Sequence, residues 1–135
     1  MTAAEPRVVA FLCRECAYAA ADAAGTARTP LPTSVRTILV PCTGRVAPHH
    51  LLGALAGGAD GVCVAGCLEG QCHHRVGNLH ARDRVRFVQQ LLRSAGVEAE
   101  RVAMFNLSAA DAPGFARAVG TMAHAVSTLP LLERV

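Results

Sequence analysis

An open parallel α/β sheet with helices on both faces is the fold class that three observations predict. Four short apolar runs alternate with four segments of helical character. The runs are continuously apolar rather than alternating, as strands covered on both faces are. At 135 residues the chain can bury a real core and still be a single domain, residues 1–135.

Each element has its own warrant. RVVAFLC, from Arg7, is short and rich in Val and Phe, and reads as a buried strand. AYAAADAAGTAR follows, Ala-rich and helical in propensity, closing near Gly25. SVRTILVPC is a second strand, stopped by Pro41. APHHLLGALAGGA is a helix with Pro48 in its first turn and glycines at its end. DGVCVAGC is a third strand. GNLHARDRVRFVQQLLRSAG is a helix with Val85, Val88, Leu91 and Leu92 on one face, arginines on the other, and Gly96 as its stop. ERVAMFNL is the fourth strand, and DAPGFARAVGTMAHAVSTL a last helix capped by Asp111. The alternation predicts an open sheet of about four strands in a three-layer, flavodoxin- or Rossmann-like arrangement with right-handed crossovers.

Composition excludes several functions. No stretch of about 18 residues is apolar enough to cross a bilayer, and the N-terminus has no signal-peptide pattern, so a cytoplasmic protein without membrane insertion is expected. All 13 basic residues are Arg, which rules out a P-loop lysine and a Schiff base. A net charge of +3, with the arginines spread along the chain, gives no case for nucleic acid.

Six cysteines need a reason in a reducing compartment, and metal binding or redox work is the leading one. Cys13 and Cys16 follow the first strand, Cys42 the second, and Cys67 and Cys72 the third. In a parallel sheet these loops leave the same edge, where ligands of open α/β sheets bind. Cys63 lies inside the third strand and reads as a small core residue.

Five convergent thiols suit an iron–sulfur cluster, which four thiolates usually hold. Cys13 and Cys16 form a C-x-x-C pair. Cys67 and Cys72 form a C-x4-C pair, with Gly66 just before it and Gly70 inside it. Cys42 is either a fourth ligand in place of one of these or a fifth thiol beside the cluster. Zinc in a docking adaptor, or a dithiol at Cys13 and Cys16, are the competing readings. His73 is placed near a sulfur as a hydrogen-bonding or proton-carrying group and His74 at the surface, as are His49 and His50. Arg45 and Arg75 flank the cysteine loops and are expected to raise the reduction potential or dock an acidic partner.

FLCRECAYAAADAAG, PCTGRVAPHHLLGALAGGADGV and GCLEGQCHHRVGN together resemble the delta subunit of methyl-viologen-reducing (F420-non-reducing) hydrogenase. The resemblance runs from about Val8 to about Phe115. It implies one 2Fe–2S cluster held by four of Cys13, Cys16, Cys42, Cys67 and Cys72. It also implies electron transfer between a hydrogenase or formate dehydrogenase-like oxidoreductase and a heterodisulfide-reductase-type flavoprotein, with no substrate turnover of its own. His74 departs from the pattern, since relatives commonly carry an aromatic residue there.

Overall fold

The computed structural model describes residues 6–28, 30–32, 34–72 and 75–132. Four strands, β1 (Val8–Cys13), β2 (Val35–Val40), β3 (Gly61–Gly66) and β4 (Val102–Asn106), form one sheet in the order β2-β1-β3-β4. Every pairing is parallel. Four helices, α1 (Ala17–Thr26), α2 (Pro48–Ala56), α3 (Gly77–Ser94) and α4 (Ala112–Ser127), make the crossovers and the last layer. The fold class expected from the sequence is the one observed.

Two cores sandwich the sheet, and the pleat sorts side chains between them. Val8, Ala10 and Leu12 of β1 and Cys63 and Ala65 of β3 meet Ala17, Ala20 and Ala24 of α1 and Phe115, Val119 and Met122 of α4. Phe11, Val62, Val64 and Val102 meet Leu51 and Leu55 of α2 and Val85, Val88 and Leu92 of α3. The alanines let α1 sit close to the strands, at the cost of little buried area per residue. Local signals fix the helix starts. Pro48 opens α2, where the Ala47 N–H donates to His50 Nδ1 at 2.9 Å. Asp111 caps α4 through the Gly114 N–H at 2.9 Å. Both His49 and His50 are exposed, as expected.

Arg101 is buried, with its Nη2 donating to Glu98 Oε1 at 2.7 Å and its Nη1 to the Asp60 carbonyl at 3.0 Å. It also reaches the Pro130 carbonyl, tying the turn that leads into β4 to the chain after α4. A planar, permanently charged fork suits that junction better than a lysine would.

Two expectations need correction. Leu91 is exposed, because the buried stripe of α3 runs through Ala81, Val85, Val88 and Leu92, and its position on the helix carries Leu91 to the rim. β2 is apolar in sequence yet exposed over residues 36–39, because as the edge strand it lies beyond the reach of the helices on either face. Among the described residues, no helix is long and apolar enough to cross a membrane.

Candidate metal centre

The strands deliver the cysteines to one edge. β1 ends in Cys13, and a short turn places Cys16 at the start of α1. β2 ends at Val40, and Cys42 leads a single 3₁₀ turn, Thr43–Arg45. Cys67 follows β3 directly, and Cys72 lies in the loop before α3. The sulfurs of Cys13, Cys16 and Cys67 all lie within 4.8 Å of one another. Cys13 Sγ and Cys67 Sγ are 3.7 Å apart, and Cys42 Sγ and Cys72 Sγ 3.8 Å. Cys63 is excluded: it is buried inside β3, and burial pushes its thiol up to about 12.

The five thiols form one electrostatic group. Burial raises Cys16 and Cys42 above the ordinary thiol value, and negative charge on Cys13 and Cys72 adds to the rise at both. Burial also raises Cys67, strongly. The Gly44 N–H works the other way at Cys42, and a second main-chain donor points at another sulfur of the group. The Ala17 N–H lies 3.3 Å from Cys13 Sγ, and the Gly44 N–H 3.4 Å from Cys42 Sγ. Such donors favour the thiolate, the form that binds metal.

Side chains from other elements hold the loops. Asn78 Nδ2 donates to the Cys67 and Leu68 carbonyls, both at 3.0 Å, and Asn106 Nδ2 to the Cys67 carbonyl at 2.7 Å. Arg84 reaches from α3 to the Gly44 and Val46 carbonyls, closing the turn after Cys42. None of these three roles follows from the sequence pattern. A polar residue at the carboxyl end of the apolar run VAMFN is the available signal for Asn106. Gly77, the first residue of α3, backs directly onto the sulfur of Cys42, since a β-carbon there would stand 2.2 Å from it. Thr43 is buried, and its hydroxyl has no partner among the described residues.

The donor set fits a thiolate-bound metal. Two thiolates on one tetrahedral metal at about 2.3 Å stand about 3.8 Å apart. The pairs Cys13–Cys67 and Cys42–Cys72 match that separation. A soft all-sulfur set suits zinc or iron–sulfur chemistry over hard cations. Arg45 and Arg75 are exposed beside the cysteine loops, and Arg75 holds a left-handed φ of 66° while its N–H donates to the Cys72 carbonyl at 3.0 Å. His73 and His74 lie outside the described residues.

Fold and site together define a doubly wound α/β protein with a thiolate centre at the carboxyl edge of its sheet. The family model described as methyl-viologen-reducing hydrogenase, delta subunit, matches residues 8–130, and the chain belongs to that family. It is 49% identical to the vhu iron–sulfur subunit of the F420-non-reducing hydrogenase of Methanopyrus kandleri, over 87% of this chain and 89% of that one. The corresponding protein of Methanocaldococcus jannaschii is 43% identical over 93% of both chains. A third relative differs in size. It is one of the subunits of the ferredoxin:CoB-CoM heterodisulfide reductase of Methanosarcina mazei, 40% identical over 84% of this chain but only 14% of its own length.

Proposed function

We propose that this chain is a cytoplasmic, single-domain electron-transfer subunit that holds one 2Fe–2S cluster. The observation that carries this reading is the occurrence of two sulfur pairs, at 3.7 and 3.8 Å, each spaced for one iron. Cys13 with Cys67 serves one iron and Cys42 with Cys72 the other. Cys16 is the fifth thiol, close enough to Cys13 and Cys67 to replace either. The names of the relatives support the same reading, since one is an iron–sulfur subunit of a hydrogenase and another belongs to a heterodisulfide reductase.

When bound, the cluster takes up and returns a single electron. The chain's own residues do the rest. Asn78, Asn106 and Arg84 fix the ligand loops, so little rearrangement accompanies a change of charge. The Ala17 and Gly44 N–H groups stabilise negative charge on sulfur, and Arg45 and Arg75 add positive charge at the rim. His73 is assigned to the same shell. The partners are a heterodisulfide-reductase-type flavoprotein on one side and a hydrogenase or formate dehydrogenase-like oxidoreductase on the other. The chain turns over no substrate of its own.

The test is metal and sulfide analysis of anaerobically purified protein, with Cys→Ser variants at the five positions. Two irons and two sulfides per chain, with visible charge-transfer bands, are expected. C42S, C72S, C13S and C67S should each lose the cluster or change its spectrum, and C16S should change it least. One zinc per chain and no colour would replace the wire with a metal-stabilised adaptor.

A further inference from the structure

A parallel sheet normally hides both faces under helices. Here β2 leaves residues 36–39 exposed, with Ile38 and Leu39 each 43% accessible on opposite faces. The register sets Ile38 beside Phe11 and Arg36 beside Val9. On that face an open groove of about 600 Å³ is lined by Arg7, Val9, Arg36, Ile38, Ala54 and Gly57, and by no acidic side chain. The groove on the opposite face is smaller, about 250 Å³, and includes Asp22. An apolar edge strand with a cationic groove is a liability in a free monomer and an asset in a complex.

We infer that the groove between β2 and α2 is the docking surface for an acidic, apolar-tipped element of the flavoprotein partner. The inference rests on the partner proposed above, and two observations select that occupant. A second copy laid on the same groove would bring Arg7 and Arg36 against their own counterparts, like charge against like, which opposes self-association. In the Methanosarcina mazei relative, the matching stretch is carried within a chain of which it is only 14%. A unit of this kind is therefore found joined to a larger body. The strand also runs toward the metal centre: Val40 closes β2 and Cys42 follows two residues later. The groove itself sits at the other end of the strands, where Arg7, Ser34 and Ala59 line it just before β1, β2 and β3, so a partner resting there leaves the cysteine edge open and its acidic residues meet Arg36 and Arg7 rather than the cysteines.

The experiment titrates cluster-loaded chain, anaerobically, with the purified heterodisulfide-reductase-type flavoprotein of the same source. R36E and I38D are compared with the native chain and with R93E on α3, away from the groove. R36E and I38D should each weaken binding roughly tenfold or more, with unchanged cluster absorption and melting temperature. R93E should bind as the native chain does, and native binding should weaken as salt is raised. Equal affinity for native, R36E and I38D overturns the docking surface while leaving the partner in place. A native chain that sediments as a dimer broken by I38D makes a second copy the occupant and overturns the inference. A native chain with no affinity for the flavoprotein removes the proposed partner, and this occupant with it.

Discussion

Gly77 touches the sulfur of Cys42 with bare backbone. A β-carbon at this position would lie 2.2 Å from Cys42 Sγ, and Gly44 packs against the same glycine, with only 3.0 Å between its own missing β-carbon and Gly77 Cα. The start of α3 therefore fits against the Cys42 turn only when both residues are glycine. Gly77→Ala must push the sulfur or the helix aside. It should cost about 1–3 kcal/mol of stability, as overpacking does, and lower iron per chain more than it lowers the melting temperature. Iron analysis beside thermal unfolding checks both.

Thr43 carries a hydroxyl that is buried and has no partner among the described residues, a state that costs about 1–3 kcal/mol. It follows Cys42 in the chain and packs against Gly66, the residue before Cys67, whose missing β-carbon would stand 3.0 Å from the hydroxyl oxygen. A cluster bound beside Cys42 and Cys67 would bring sulfur acceptors to this part of the site, and the hydroxyl would be available to donate to one of them. Thr43→Val should lower the midpoint potential, since the lost hydrogen bond favours the more negative, reduced state. Thr43→Ser should keep it. A roughly tenfold change in the one-electron equilibrium corresponds to about 59 mV. A redox titration followed by electron paramagnetic resonance reads it, and identical potentials for the two variants would rule the hydroxyl out.

Arg75 allows charge to be separated from loop geometry. Its φ of 66° is the left-handed conformation that glycine adopts at no steric cost. Arg75→Gly should leave the loop intact, stabilise it by up to about 1 kcal/mol, and still lower the potential or weaken the complex by removing the charge. Arg45→Ala should act in the same direction. Potentials and flavoprotein affinities that stay at native values in both variants would exclude arginines from either role.

Acidity should oppose metal loading. Burial raises Cys16, Cys42 and Cys67, so the metal-free thiols hold their protons near neutrality and release them when metal binds. Zinc affinity of the metal-free chain should rise between about pH 6.5 and 8, about tenfold per pH unit for each proton released, in a competition titration. Cys63 acts at the alkaline end. Its thiol is raised from 9.0 to about 12 in the fold, so its contribution to stability is complete below pH 9.0 and is lost as pH rises toward 12. Cys63→Ala should remove that part of the alkaline loss, by denaturant melts at several pH values, and leave iron content unchanged.

Much of this was legible in the sequence because strand runs and cysteines mark the same places. Apolar runs ending at Cys13, Val40 and Gly66 fixed three strand ends, and parallel pairing then required their loops to meet. Cys63 stood out because it lies inside a run rather than at its end. The exposure of β2 was not legible. VRTILV reads as buried by composition, and whether a helix covers an edge strand depends on sheet order, which no local pattern encodes. The grip of Asn78, Asn106 and Arg84 on the ligand loops was hidden for a related reason. Each donates across 10 or more residues of chain to a main-chain carbonyl, and carbonyls leave no trace in a sequence. Leu91 misled because spacing alone cannot tell the centre of an apolar stripe from its margin.

The short gaps between sulfurs carry a hazard as well as a use. With Cys13 and Cys67 at 3.7 Å, and Cys42 and Cys72 at 3.8 Å, an oxidant that removes two electrons and two protons from either pair can join it as a disulfide. Air would then do more than strip the centre: it would leave a sealed pocket that added iron and sulfide cannot refill until a reductant reopens it.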